Sequence, residues 1–148
     1  MVGELRKLQS LLLWQNNIVG TIPFGLGSCT QLTVIDISEN LLTGSIPTRF
    51  RALSGLQELQ LSVNQLSGPL APSLGSLTEL TKLNLRKNQL SGRIPAQILY
   101  CSKLQLLDLG SNGFSGEIPK ELGQIQSLEI SLNLKSCEMF KKSLRTYT

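Results

Sequence analysis

The chain has 148 residues, 14 Lys plus Arg against 10 Asp plus Glu, a formal net charge of +4, and no histidine. The missing imidazole removes the commonest general base and the commonest metal ligand together. The basic residues form no long block of the kind that binds nucleic acid. No apolar run reaches the length of a membrane span, and the opening MVGELRKL carries no apolar stretch before a cleavage site. Neither a transmembrane segment nor a signal peptide is therefore expected in these residues.

From Leu5 onward the sequence repeats itself every 24 residues. Asn16, Asn40, Asn64, Asn88 and Asn112 form one column, and Gly20, Gly44, Gly68, Gly92 and Gly116 follow them by four. Leu8, Leu32, Leu56, Leu80, Leu104 and Leu128 open the motif. Self-similarity at this period means a stack of small units, each burying its apolar face against the next. We read residues 1–4 as a lead-in without a cap, 5–124 as five complete repeats, 125–134 as a partial sixth, and 135–148 as a divergent basic tail.

Each repeat begins with a short strand, expected at Ser10–Trp14, Val34–Ser38, Glu58–Ser62, Lys82–Arg86 and Leu106–Gly110. Alternate leucines such as Leu83 and Leu85 point inward, which turns Lys82, Asn84 and Arg86 to the opposite, concave face. The asparagine follows, where an amide can pair the backbone groups of an interior turn as both donor and acceptor. The glycine then suits a tight turn with positive φ, and Pro23, Pro47, Pro95 and Pro119 preset a short irregular or 3-10 segment that returns the chain. Repeat three departs, with Pro69 and Pro72 around Leu70 and Ala71, so its returning loop is expected to shift while its strand does not.

Cys29 and Cys101 occupy the apolar position that Leu5, Leu53 and Leu77 fill elsewhere, which makes them packing residues. At about 4.8 Å per rung they stand about 14 Å apart, beyond the ~7 Å reach of a disulfide. The sixth repeat opens with Ile125 and Leu128. It then slips by one residue, so that Leu132 and Leu134 take the strand positions and Cys137 falls at the asparagine column. Lys135, Lys141, Lys142 and Arg145 make the tail basic, and poor order is the expectation there; contact with a membrane or nucleic acid is the weaker alternative.

The consensus LxxLxxLxLxxNxLxGxIPxxLxx over residues 5–124 resembles the plant-specific class of leucine-rich repeat found in receptor-like kinase ectodomains. LLLWQNN at Leu11–Asn17 and IQSLEISLNL at Ile125–Leu134 look more narrowly like receptors for root meristem growth factor peptides. The resemblance implies an α/β repeat fold: a right-handed, curved leucine-rich repeat solenoid with parallel strands on the concave face and 3-10 or irregular convex segments. It also implies a non-catalytic peptide- or protein-recognition module, a fragment of the extracellular part of a membrane receptor in signal transduction. Its partners would be a peptide ligand on the concave face or a co-receptor ectodomain, with no cofactor, metal, nucleic acid or direct membrane insertion. Such a module would sit on the extracellular face of the plasma membrane, and a serine/threonine kinase would belong to the parent. A secreted cell-wall protein of inhibitor type, or a truncated product acting as a structural spacer, is the alternative. The family's Arg-x-Arg pair for a peptide carboxyl terminus is not carried over: Arg49 and Arg51 have its spacing but follow Pro47 on the returning segment.

The candidate ligand- or partner-binding residues are the outward strand positions: Trp14, Asp36, Ser38, Glu39, Glu58, Gln60, Lys82, Asn84, Arg86, Lys87 and Asp108. Leu12 and Val63 also face outward. Lys82, Arg86 and Lys87 together favour an anionic partner. The competing reading makes these residues solvated strand faces paired across rungs, Glu58 with Lys82 in particular.

Overall fold

The computed structural model describes residues 5–125 and 128–132. The lead-in, Leu134, Cys137 and the basic tail lie outside the described residues. Along the chain the strands are β1 (Ser10–Leu12), β2 (Val19–Thr21), β3 (Val34–Asp36), β4 (Leu41–Thr43), β5 (Glu58–Gln60), β6 (Ser67–Pro69), β7 (Lys82–Asn84), β8 (Gln89–Arg93), β9 (Leu106–Asp108), β10 (Gly113–Ser115) and β11 (Glu129–Ser131). Among the described residues, 3-10 segments return the chain at Phe24–Ser28, Thr48–Ala52, Pro72–Ser76, Ala96–Tyr100 and Lys120–Gln124. The odd-numbered strands form one six-stranded sheet in the order β1-β3-β5-β7-β9-β11, all parallel. This is a leucine-rich repeat solenoid: one rung per repeat, with the large sheet along one side and the 3-10 segments along the other.

The strands start where the apolar spacing predicts and end two residues sooner. Pairing nonetheless continues past them, since Leu13 N–H donates to Asp36 O (2.8 Å) and Gln15 N–H to Ser38 O (3.0 Å). What ends the strand is a backbone reversal. Gln15, Glu39, Val63, Lys87 and Ser111, each just before the asparagine, have φ between 52° and 55°. This left-handed column has no glycine in it and is invisible in the residue pattern. The glycine column four residues after each asparagine also has positive φ, from 76° to 92°, as its composition suggests.

After the asparagine turn, the segment read as a simple turn is a strand of a second layer. Its sheets are parallel and small: β2-β4, and β6-β8-β10. The break between them has a local cause. Gln65 N–H donates to Leu42 O (2.8 Å) and Ser67 N–H to Gly44 O (2.9 Å), but Pro69 has no N–H with which to continue toward β4. The proline therefore interrupts pairing without moving the loop. Contrary to the expected shift, the 3-10 segment of repeat three starts in the same column as the others, with Ala71 where they have proline, and Leu70 is buried like Ile46 and Ile94.

The core is a continuous stack of columns, and in repeat four it comprises Leu77, Leu80, Leu83, Leu85, Leu90, Ile94 and Ile98. Cys29 and Cys101 are buried in the first of these columns. The Cys101 thiol donates to Leu74 O, at the end of repeat three, at 3.5 Å, and burial pushes its pKa up to about 11. Gly27 and Gly75 mark close approaches between successive 3-10 segments. A Cβ at Gly27 would meet the Arg49 carbonyl at 2.8 Å, and one at Gly75 would collide with the Gln97 carbonyl.

The sixth rung slips in the sense opposite to that expected. Ile130 pairs with Leu107 and Glu129 with Leu106, so the repeat is one residue short, and Leu132 falls just past β11. In complete repeats one carbonyl takes two successive amides, as Thr33 O does from Gln57 (2.7 Å) and Glu58 (3.1 Å). At the sixth rung the Gln105 carbonyl accepts Glu129 N–H at 2.8 Å and the register moves on directly.

Candidate receptor surface on the strand side

Interior asparagines hold the strand ends in place. Asn88 Nδ2 donates to Leu61 O and Leu85 O (both 3.0 Å), and its Oδ1 accepts Leu66 N–H (3.0 Å). Asn40, Asn64 and Asn112 repeat the scheme one rung apart, each joining its own turn to the repeat before. Asn16 donates within its own turn, to Leu13 O and Trp14 O. Because rungs two to five are each tied to the one before in this way, the outward side chains form columns across the sheet.

The pairing register brings the candidate residues together. One column runs Leu12, Asp36, Gln60, Asn84, Asp108; a second runs Ser10, Val34, Glu58, Lys82, Leu106. Beyond the strand ends the backbone pairing places Trp14 beside Ser38, and Glu39 between Gln15 and Val63. Leu12 and Trp14 are 60% and 51% exposed, so the first rung presents an apolar and aromatic surface to solvent.

Much of the charge on this face is satisfied within it. Lys82 Nζ lies 3.2 Å from Glu58 Oε1, and Arg86 Nη1 lies 3.9 Å from Asp108 Oδ2. The basic cluster that favours an anion in the sequence is thus compensated at two of its three members, and Lys87 is left exposed beside them. Several side chains also fold onto their own strand ends. Asp36 Oδ1 accepts from Ser38 N–H (3.1 Å) and Ser38 Oγ–H (2.6 Å), Asn84 Oδ1 from Arg86 N–H (3.2 Å), and Asp108 Oδ1 from Gly110 N–H (3.0 Å). Glu39 Oε2 accepts from Gln15 Nε2 at 3.0 Å. The surface is rigid, polar and open, with an apolar end. Arg49 instead lies on the 3-10 side, its guanidinium 5.3 Å from the Phe24 ring centre.

Residues 6–66 match a family model described as leucine rich repeat, and residues 79–101 and 103–125 match a second one of the same description. The BIR2 ectodomain from Arabidopsis thaliana is 31% identical with a TM-score of 0.74, over 85% of this chain and 71% of that one. The chain belongs to the leucine-rich repeat family. This leucine-rich repeat chain is also 40% identical (TM-score 0.85) to the ectodomain of the Arabidopsis thaliana receptor kinase GASSHO1/SCHENGEN3, solved with CASPARIAN STRIP INTEGRITY FACTOR 2; the match covers 88% of this chain and 16% of that one. The plant peptide hormone receptor RGFR1, solved with RGF2, is 45% identical (TM-score 0.71), over 88% of this chain and 25% of the receptor. A 44-residue stretch is 39% identical to Receptor-like protein 41 of Arabidopsis thaliana, covering 30% of this chain and 5% of that protein. The chain therefore spans a small part of these longer receptors. Among the described residues no helix is long and apolar enough to cross a membrane.

Proposed function

We propose that this chain is a non-catalytic recognition module of the extracellular region of a plant leucine-rich repeat receptor-like serine/threonine kinase. A peptide ligand or a co-receptor ectodomain would bind across the strand side. The observation that carries this reading is the six-stranded sheet itself. One face is buried from the second rung to the fifth, while the other displays Trp14, Leu12 and the charged columns at fixed spacing, with nothing folded over them among the described residues. Rigid presentation lowers the ordering cost of binding, and exposed aromatic and arginine side chains are the residue types that dominate binding energies. The solved complexes of GASSHO1/SCHENGEN3 and RGFR1 with their ligands support the same reading by likeness.

The test is panning of the purified chain against a displayed library of short random peptides, with Trp14→Ala and Asn84→Ala on the strand side and Phe24→Ala on the 3-10 side as the control. Loss of binding in either or both of the first two, with none in Phe24→Ala, is the expected result. Equal loss in Phe24→Ala, or none in the strand-side variants, refutes the assignment of the surface.

A further inference from the structure

We propose that the first two rungs of the strand side select an extended peptide that lays an apolar side chain on Leu12 and Trp14 and presents a lysine or arginine, two residues away, to Asp36 and Glu39. This rests on the recognition reading above and reverses the polarity that the Lys82, Arg86 and Lys87 cluster implies in the sequence. Charge complementarity on the exposed sheet face selects this occupant. Lys82 is held by Glu58 at 3.2 Å and Arg86 stands 3.9 Å from Asp108, so those four charges cancel in pairs. Among the described residues Asp36 and Glu39 face no lysine or arginine. Their partners are neutral donors, Ser38 and Gln15, and each uses a single carboxylate oxygen: Oδ1 of Asp36 and Oε2 of Glu39. Both carboxylates are thereby oriented, and among the described residues nothing hydrogen-bonds to their second oxygens.

Spacing fits the same occupant. Leu12 and Asp36 are register partners on neighbouring strands, about 4.8 Å apart. Alternate side chains of an extended peptide crossing the rungs leave the same side about 6.7 Å apart, and the long arm of lysine or arginine takes up the difference. Trp14, 51% exposed, adds a ring face on which the stem or guanidinium of that residue can stack. Asp36 and Glu39 lie three residues apart, about 10 Å along the strand end, so an acidic side chain beside either one would meet an oriented carboxylate.

The experiment pans the displayed peptide library on the full chain at low and at raised salt, then measures the enriched peptides against variants whose fold is checked by circular dichroism. Enriched peptides are expected to carry Lys or Arg two positions from an aliphatic or aromatic residue. Trp14→Ala should weaken them about tenfold. Asp36→Asn with Glu39→Gln should weaken them about fivefold at low salt, less at raised salt, and abolish the basic preference. Both substitutions keep an acceptor oxygen for Ser38 and Gln15, so the strand end is preserved. Enrichment of acidic peptides that depends on Arg86 and Lys87 and ignores Asp36 and Glu39 overturns this polarity while leaving the recognition surface standing. Binding that no strand-side substitution changes, or no enrichment at all, overturns both.

Discussion

Replacing Asn88 by leucine tests the idea that the asparagine column, more than apolar burial, sets each rung's register. Asn88 is nearly buried, and its amide satisfies three backbone groups: the carbonyls of Leu61 and Leu85, and the N–H of Leu66. The two carbonyls keep a second donor, because Asn64 also reaches Leu61 O (3.2 Å) and Asn112 reaches Leu85 O (2.9 Å). The Leu66 N–H has no such reserve. An orphaned buried donor costs about 1–3 kcal/mol and each lost bond about 1 kcal/mol, partly offset by the apolar side chain, so Asn88→Leu should cost roughly 2–4 kcal/mol. Asn88→Asp should cost more: it keeps the acceptor for Leu66 but turns a carboxylate toward two carbonyls in a buried place. Asn16→Leu, on the exposed first rung, should cost under about 1 kcal/mol. Urea titration followed by far-UV circular dichroism reads the order, with a midpoint shift of about 1–2 M for Asn88→Leu at a slope of ~2 kcal/mol/M. If Asn88→Leu lies within about 0.5 kcal/mol of the parent, or Asn16→Leu costs as much, the column is not what holds the register.

Gly75→Ala should destabilise by about 1–3 kcal/mol because its Cβ collides with the Gln97 carbonyl. Gly55→Ala, with open space around it, should be nearly neutral, and thermal melts of the pair make the comparison. Val63 is a β-branched residue at φ 55°, so Val63→Gly should raise stability by about 0.5–1 kcal/mol through relief of strain, and a lowered midpoint would contradict the strain argument. Burial raises the Cys101 pKa from 9.0 to about 11. The folded state therefore holds this proton more tightly than the unfolded chain, and the contribution is complete below pH 9 and lost as pH rises toward 11. Cys101→Ala should remove that part of the decline in an alkaline denaturation series, and alkylation of Cys101 should require unfolding.

The sequence by itself determines the architecture of this protein, because a 24-residue recurrence of leucines, asparagine and glycine admits one kind of stack. Which side chains face in, where the first five main strands start, and why Asn40 or Asn88 sits among backbone groups all follow from local periodicity and hydrogen-bonding capacity. The positive-φ residues before each asparagine are not legible, since Gln15, Glu39, Val63, Lys87 and Ser111 share no chemistry that marks a left-handed turn. The second strand layer is equally hidden: it exists because neighbouring turns offer each other carbonyls, and it breaks where Pro69 has no hydrogen to give. The sixth rung's slip depends on which amide reaches the Gln105 carbonyl, a contact between residues far apart in the chain. The same holds for the candidate surface. The sequence shows the outward columns, including the basic trio at Lys82, Arg86 and Lys87. Only the register between strands decides that Glu58 and Asp108 compensate two of them and, among the described residues, leave Asp36 and Glu39 without cations, because electrostatic pairing is set by distance across rungs and not along the chain.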